Sequence, residues 1–227
     1  MEERKHTSLH YEMELQEIKN NLIYLGALTE KAIRMAMQSL TDRNTEMANN
    51  VIANDYEIDK MDKEIEEKCI KMLALRQPTA IDLRFITTAI KITGHLERIG
   101  DMAVNIAEKA VQLNQEPKLK PYIDLPNMSS IVEKMVAKSL DALIKSDLQI
   151  ADEVREIEQV VDDLNEQIFR ELLTFMMEDS KSIHRALLIM HVSKNLERIA
   201  DHAQGIADMV TYMITGENVR HLSKEPN

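Results

Sequence analysis

From Phe85 onward, apolar or small residues recur at Ala89, Ile92, Leu96, Ile99, Ala103, Ile106, Ala110 and Leu113, in alternating steps of four and three. That spacing paints one stripe along an α-helix packed in a bundle. The stripe returns at Ile189, Val192, Leu196, Ile199, Ala203, Ile206, Val210 and Met213, and Arg185, opposite Phe85, breaks the match. Inside both stripes lies nearly the same string, Leu-Glu-Arg-Ile followed by Gly100-Asp101 in one and Ala200-Asp201 in the other. Two unrelated heptad-rich helices do not converge on such a string, so the chain is internally duplicated.

Periodicity predicts helices over 8–40, 45–75 and 79–113, then over 128–144, 148–177 and 182–215. Asn44 and Asp147 stand as N-caps before the second helix of each half, and Thr79 with Asp82 makes a capping-box-like start after Pro78. Gly216 offers a C-terminal stop, with 217–227 expected to fray. Pro117, Pro121 and Pro126 fall in a polar stretch without periodicity, which marks the boundary between a first unit, 1–117, and a second, 118–227. The third helices align Leu96 with Leu196, whereas the second helices align Asn44 with Asp147 and Ile65 with Ile168, so the second copy has the shorter turn. The fold class is all-α: two tandem three-helix bundles related by duplication.

Composition agrees and removes alternatives. Aromatics make up 4% of the 227 residues, Gly and Pro number five each, and an all-β fold is excluded. No apolar run is long enough to span a bilayer and the N-terminus has no leader-like apolar region, so a cytoplasmic protein without a transmembrane segment is expected. A net charge of −11 gives nucleic acid no electrostatic footing and points toward cations or basic protein patches. Cys69, the single cysteine, reads as core filler.

The acidic residues are organised. Glu97 with Asp101 and Glu197 with Asp201 stand four apart, side by side on one helical face that is not the apolar stripe. Asp55 with Asp59 and Glu158 with Asp162 repeat that spacing on the second helices. In an antiparallel hairpin, residues at equal depth share one midpoint. Asp59 with Glu97 and Asp55 with Asp101 are both centred on Pro78, where a turn is already predicted. Asp162 with Glu197 and Glu158 with Asp201 are centred between Asp179 and Ser180, again in a turn. Four carboxylates per half should therefore sit level, repelling one another until a hard cation such as Mg, Mn, Ca or iron neutralises them. A solvated acidic face is the plainer reading of any single pair; its twofold repetition favours two matched metal sites.

Other chemistry is thin. His6 and His10 have ligand spacing but occupy the chain end, and His202, next to Asp201, reads as a surface histidine or at most a peripheral ligand. The Glu-x-x-His pairs of di-iron bundles are missing from both third helices, which disfavours oxygen activation. No nucleophile elbow, phosphate-cradling glycine loop or thiol–imidazole pair is visible, so no catalytic residues are assigned. Arg98 and Arg198 are expected to pair with acids on their own helices.

Asp82-Leu83-Arg84, Leu96-Glu97-Arg98-Ile99-Gly100-Asp101, Asn105-Ile106-Ala107 and Leu196-Glu197-Arg198-Ile199-Ala200-Asp201-His202-Ala203 together resemble the PhoU family of phosphate-signalling regulators, over essentially the full chain. The resemblance implies a non-enzymatic adaptor at the inner face of the membrane that restrains the phosphate-starvation response. It also implies links to the Pst phosphate ABC transporter, through its ATPase PstB, and to the sensor histidine kinase PhoR, together with self-association as a homodimer. It further implies multinuclear metal clusters held by Asp55, Asp59, Glu97 and Asp101 and by Glu158, Asp162, Glu197 and Asp201, the metal's identity, whether Fe, Zn, Mn or Mg, being left open. Asn105 facing Gly205, and Met102 facing His202, are departures that would make the two clusters differ. The competing readings are a metal-dependent hydrolase of phosphate compounds, needing open coordination positions, and a purely structural helical scaffold.

Overall fold

A computed structural model describes residues 2–217, with side chains from His10 onward. His6 and the tail over 218–227 lie outside the described side chains. Six long helices follow in order: α1 Glu2–Thr41, α2 Thr45–Arg76, α3 Ala80–Leu113, α4 Asp124–Lys145, α5 Leu148–Glu178 and α6 Ile183–Thr215. A 3-10 turn, Ser180–Ser182, leads into α6. Among the described residues there is no strand, and no helix is long and apolar enough to cross a membrane.

The helices form where the pattern placed them, with two differences. α1 is helical from Glu2, where fraying was expected around His6 and His10. The His10 imidazole is exposed and lies 3.9 Å from Glu14, one turn on. α4 starts at Asp124 rather than at 128, with Pro126 inside its first turn. Proline is tolerated there because the N–H it lacks would have no intrahelical partner. The caps behave as their chemistry requires: Asn44 accepts the Met47 N–H at 3.0 Å, and Asp147 accepts those of Gln149 and Ile150 at 2.9 and 3.3 Å. Thr79 donates to the Asp82 carboxylate at 2.9 Å instead of capping the backbone. Gly216 closes α6 at φ +78°, its N–H on the Tyr212 carbonyl.

Each repeat is a three-helix bundle, α1–α2–α3 and α4–α5–α6. The repeats meet through α3 against α6 and α1 against α4, which leaves α2 and α5 outermost. Every residue of both predicted stripes is buried, and both copies contribute to one continuous core. Ile65 and its counterpart Ile168 are both buried, so the alignment of the second helices holds in space. Cys69 is fully buried, and its thiol is pushed up to about 12, by burial first and the Glu66 charge second, as befits core filler.

Arg185, the mismatch in the stripe, has an assignment. Its guanidinium turns to the connection between repeats, donating to the Pro117 carbonyl at 3.0 Å and pairing with Glu116 at 3.7 Å. From the other repeat Arg43 reaches the carbonyls of Asn114 and Glu116 at 2.6 and 2.7 Å. Lys120, almost fully buried, pairs with Glu171 and with Asp124. The proline-rich connection is thus pinned to both bundles.

Candidate metal centres

α2 and α3 run antiparallel about the Pro78 turn, and α5 and α6 about Asp179. Each pair of helices brings its four carboxylates to one level. Burial, then Asp59 and Asp101, pushes the Asp55 carboxyl above its ordinary value. Glu97 is raised by burial and then by Asp101, with Asp62 and Asp59 adding and Arg98 opposing. In the second copy Glu158 is raised by burial, then by Asp162, Asp201 and Glu197. Burial and Glu197 raise Asp162, and burial, Glu197 and Asp162 raise Asp201, with Lys194 opposing in both cases and Arg198 in the latter. All eight residues singled out from the sequence therefore stand in two groups of four. Within each group, three are half-buried and the last, Asp101 or Asp201, is exposed.

The donor set is oxygen-only and repeated, the chemistry a hard cation favours, although in the second copy Lys194 already pairs with Glu197. The groups are open, since among the described residues no three His, Cys, Asp or Glu side chains converge closely enough to hold an ion. Closure on a cation would take side-chain rotation. In the first copy Gly100 keeps the approach of α2 to α3 close: a Cβ there would stand 2.9 Å from Ile58 Cδ1 and 3.4 Å from Asp55 Oδ1. In the second copy Lys194 Nζ donates to Glu197 Oε1 at 2.6 Å. Glu197 Oε2 lies equally close to that ammonium, so both oxygens of the carboxylate share its charge. Asp62 and Lys194 belong to these surroundings and are not among the residues chosen from the sequence. Lys194 was legible as one helical turn before Glu197.

Histidine 202 is not a surface residue. It is half-buried at the α3–α6 junction, its Nδ1 3.0 Å from Nδ1 of His95, with the two rings edge to face at 5.0 Å. His95 in turn lies over Gly205, where a Cβ would stand 2.6 Å from Cε1 of the ring. The Asn105–Gly205 and Met102–His202 departures thus have a packing cause: the second copy makes room for a histidine pair that the first does not mirror. Arg98 and Arg198 both act on His202 as well as on Glu97 and Asp201 respectively, so the two carboxylate groups flank one junction.

Burial, then His95, Arg198 and Arg98, lowers His202 from 6.5 to about 4. The native state therefore resists a proton that the unfolded chain accepts, and this group's stabilisation is lost as pH falls from 6.5 through about 4. Replacing His202 by Met, the residue at the equivalent position of the first copy, removes that dependence. In denaturant titrations across this pH window the native chain should lose more stability than the variant; equal losses would contradict the assignment.

Comparison with known proteins places this geometry. The model of the PhoU domain matches twice, over residues 22–110 and 125–210. The fold and the two matches define a protein of tandem PhoU domains. A phosphate-specific transport system accessory protein PhoU homolog of Aquifex aeolicus is 44% identical over 208 residues, covering 92% of this chain and 94% of that protein. The homolog of the same description from Pseudomonas aeruginosa is 38% identical over 218 residues, 96% of this chain and 90% of its own. The crystal structure of PhoU from Pseudomonas aeruginosa superposes with a TM-score of 0.87 at 38% identity, covering 91% of this chain and 100% of that one. The phosphate transport system regulatory protein PhoU from Streptococcus pneumoniae gives 0.83 at 28% identity, covering 92% and 98%. The chain belongs to the PhoU family.

Proposed function

We propose that this protein is a non-enzymatic, cytoplasmic accessory protein of a phosphate-specific transport system, which restrains phosphate uptake and the phosphate-starvation response. In this reading it works at the inner face of the membrane, as a dimer, between the ATPase of the Pst transporter and a PhoR-type sensor kinase. The observation that carries it is the near-full-length match of both repeats to PhoU proteins. A cation held by each carboxylate group would neutralise the repulsion and fasten α2 to α3 and α5 to α6. Asp55, Asp59, Glu97 and Asp101 would hold one, and Glu158, Asp162, Glu197 and Asp201 the other.

The test is genetic and biochemical. A strain lacking this protein should express a phosphate-starvation reporter in phosphate-replete medium, and the native gene should silence it; a reporter silent in the deletion strain would sink the proposal. The gene with Glu97, Asp101, Glu197 and Asp201 changed to Ala should restore silence poorly. Native protein recovered from replete cells should carry the transporter ATPase and the kinase with it. Metal-loaded protein should not turn over phosphate esters or polyphosphate.

A further inference from the structure

The α5–α6 hairpin leaves a run of large apolar side chains exposed. Phe169, Leu173 and Met177 follow one another at single-turn spacing on α5, exposed by 44%, 39% and 87%. Ile183 and Leu187 stand one turn apart on α6 and are exposed as well. Between the two helices lies a groove of about 620 Å³, with Phe169, Leu187 and Met190 among its lining residues. The first copy breaks the same run, for Glu66 stands at the position of Phe169 and Thr87 at that of Leu187. The exposed apolar edge is therefore a property of the second copy and not of the fold that both copies share.

One end of the groove is acidic. Asp162, Glu166 and Glu197 line it, and Asp163 adjoins Glu166. Glu166 is paired with Arg170 and Glu197 with Lys194. Asp163 accepts only from the Gln159 amide, at 3.1 Å, and the Lys194 charge reaches Asp162 from its seat on Glu197. Among the described residues neither Asp162 nor Asp163 makes an ion pair of its own. Both walls are helices, and the furrow between two helices accepts the ridge of a third, with side chains spaced three and four apart. From Asp162 to Met177 the α5 wall runs about 22 Å, room for roughly four turns of such a helix.

We propose that the α5–α6 groove is the docking site for an amphipathic helix of a partner protein, its apolar edge on Phe169, Leu173 and Leu187 and a lysine- or arginine-bearing end on Asp162 and Asp163. Docking removes the exposed apolar surface from water and brings a counter-charge to two carboxylates that have none. A second copy of this chain is the poorer occupant, because it brings a net charge of −11 and the same acidic end. The first copy would not take the same helix, since Glu66 sets a charge where the apolar edge must lie.

Fluorescence anisotropy with the full-length chain tests this without reference to phosphate signalling, so that its failure leaves the proposed function standing. The probe is a labelled alanine-based peptide of about 18 residues, with leucines four and three apart and lysines at one end. It should bind the native chain, and a peptide with glutamates in place of those lysines should bind several-fold more weakly. Phe169→Ser and Leu187→Ser should each weaken binding about tenfold, as truncating an apolar anchor does, with the melting temperature unchanged because both side chains are exposed. Ile70→Ser, at the position equivalent to Leu173 in the first copy, should change nothing. Absence of binding, binding indifferent to Phe169→Ser and Leu187→Ser, or equal binding of the glutamate peptide would overturn the proposal. Self-association in sedimentation that disappears with Phe169→Ser would assign the groove to a second copy and overturn it too.

Discussion

Leu96→Ala is expected to lower the stability of the folded chain by about 2–5 kcal/mol, the largest effect of any single truncation considered. Leu96 is fully buried in the stripe of α3, the helix that touches α1 and α2 within its own repeat and α6 across the junction. A cavity opened there is walled by three helices that are themselves held in place, so little of the lost volume can be recovered by collapse. In a chain of this size the melting temperature should fall by roughly 5–15 °C. A calorimetric scan checks it, and a loss under about 1 kcal/mol would show that the stripe is not packed as described. Because Glu97 follows Leu96 directly, the same variant should also loosen the carboxylate group that α3 presents to α2.

The second large effect is at the junction. Gly205→Val places branched carbon where even a single Cβ stands 2.6 Å from the His95 ring. The ring cannot retreat without breaking its bond to His202, and overpacking at such a contact costs about 1–3 kcal/mol. The diagnostic measurement is a double-mutant cycle. His95→Ala empties the space that the valine needs, so the pair His95→Ala with Gly205→Val should be less damaging than the sum of the two single changes. Strict additivity in urea titrations would mean that the two residues do not meet. The prediction is sharp because Asn105, at the equivalent position of the first repeat, carries a side chain, so the constraint belongs to the second copy alone.

Much of this frame was legible before any coordinates. The stripes from Phe85 and Ile189 are one-dimensional signals of burial, and the coordinates bury every member. Equal depth on a hairpin is fixed by the turn, so locating Pro78 and Asp179 was enough to bring Asp55 level with Asp101 and Glu158 level with Asp201. What the pattern could not supply is the arrangement of one repeat against the other. Helical periodicity says which face is apolar, not which polar residues meet where two bundles touch. His202 therefore read as a surface residue and Gly205 as a possible change in metal affinity, although the unmatched pairs His95–Asn195 and Asn105–Gly205 were already the trace of their contact. Pro126 misled for a different reason: a proline ends periodic patterns on paper, while the first turn of a helix accepts it.

The same junction also speaks to how the chain came to be one chain. A symmetric pair of identical halves can make only contacts that are their own reciprocals, residue facing residue in both directions. His95 on Gly205 has no such reciprocal, for the mirrored positions hold Asn195 and Asn105. Once that lock and its seat had been divided between the copies, two molecules of either half could no longer rebuild the joint. The copies have ceased to be interchangeable at this joint.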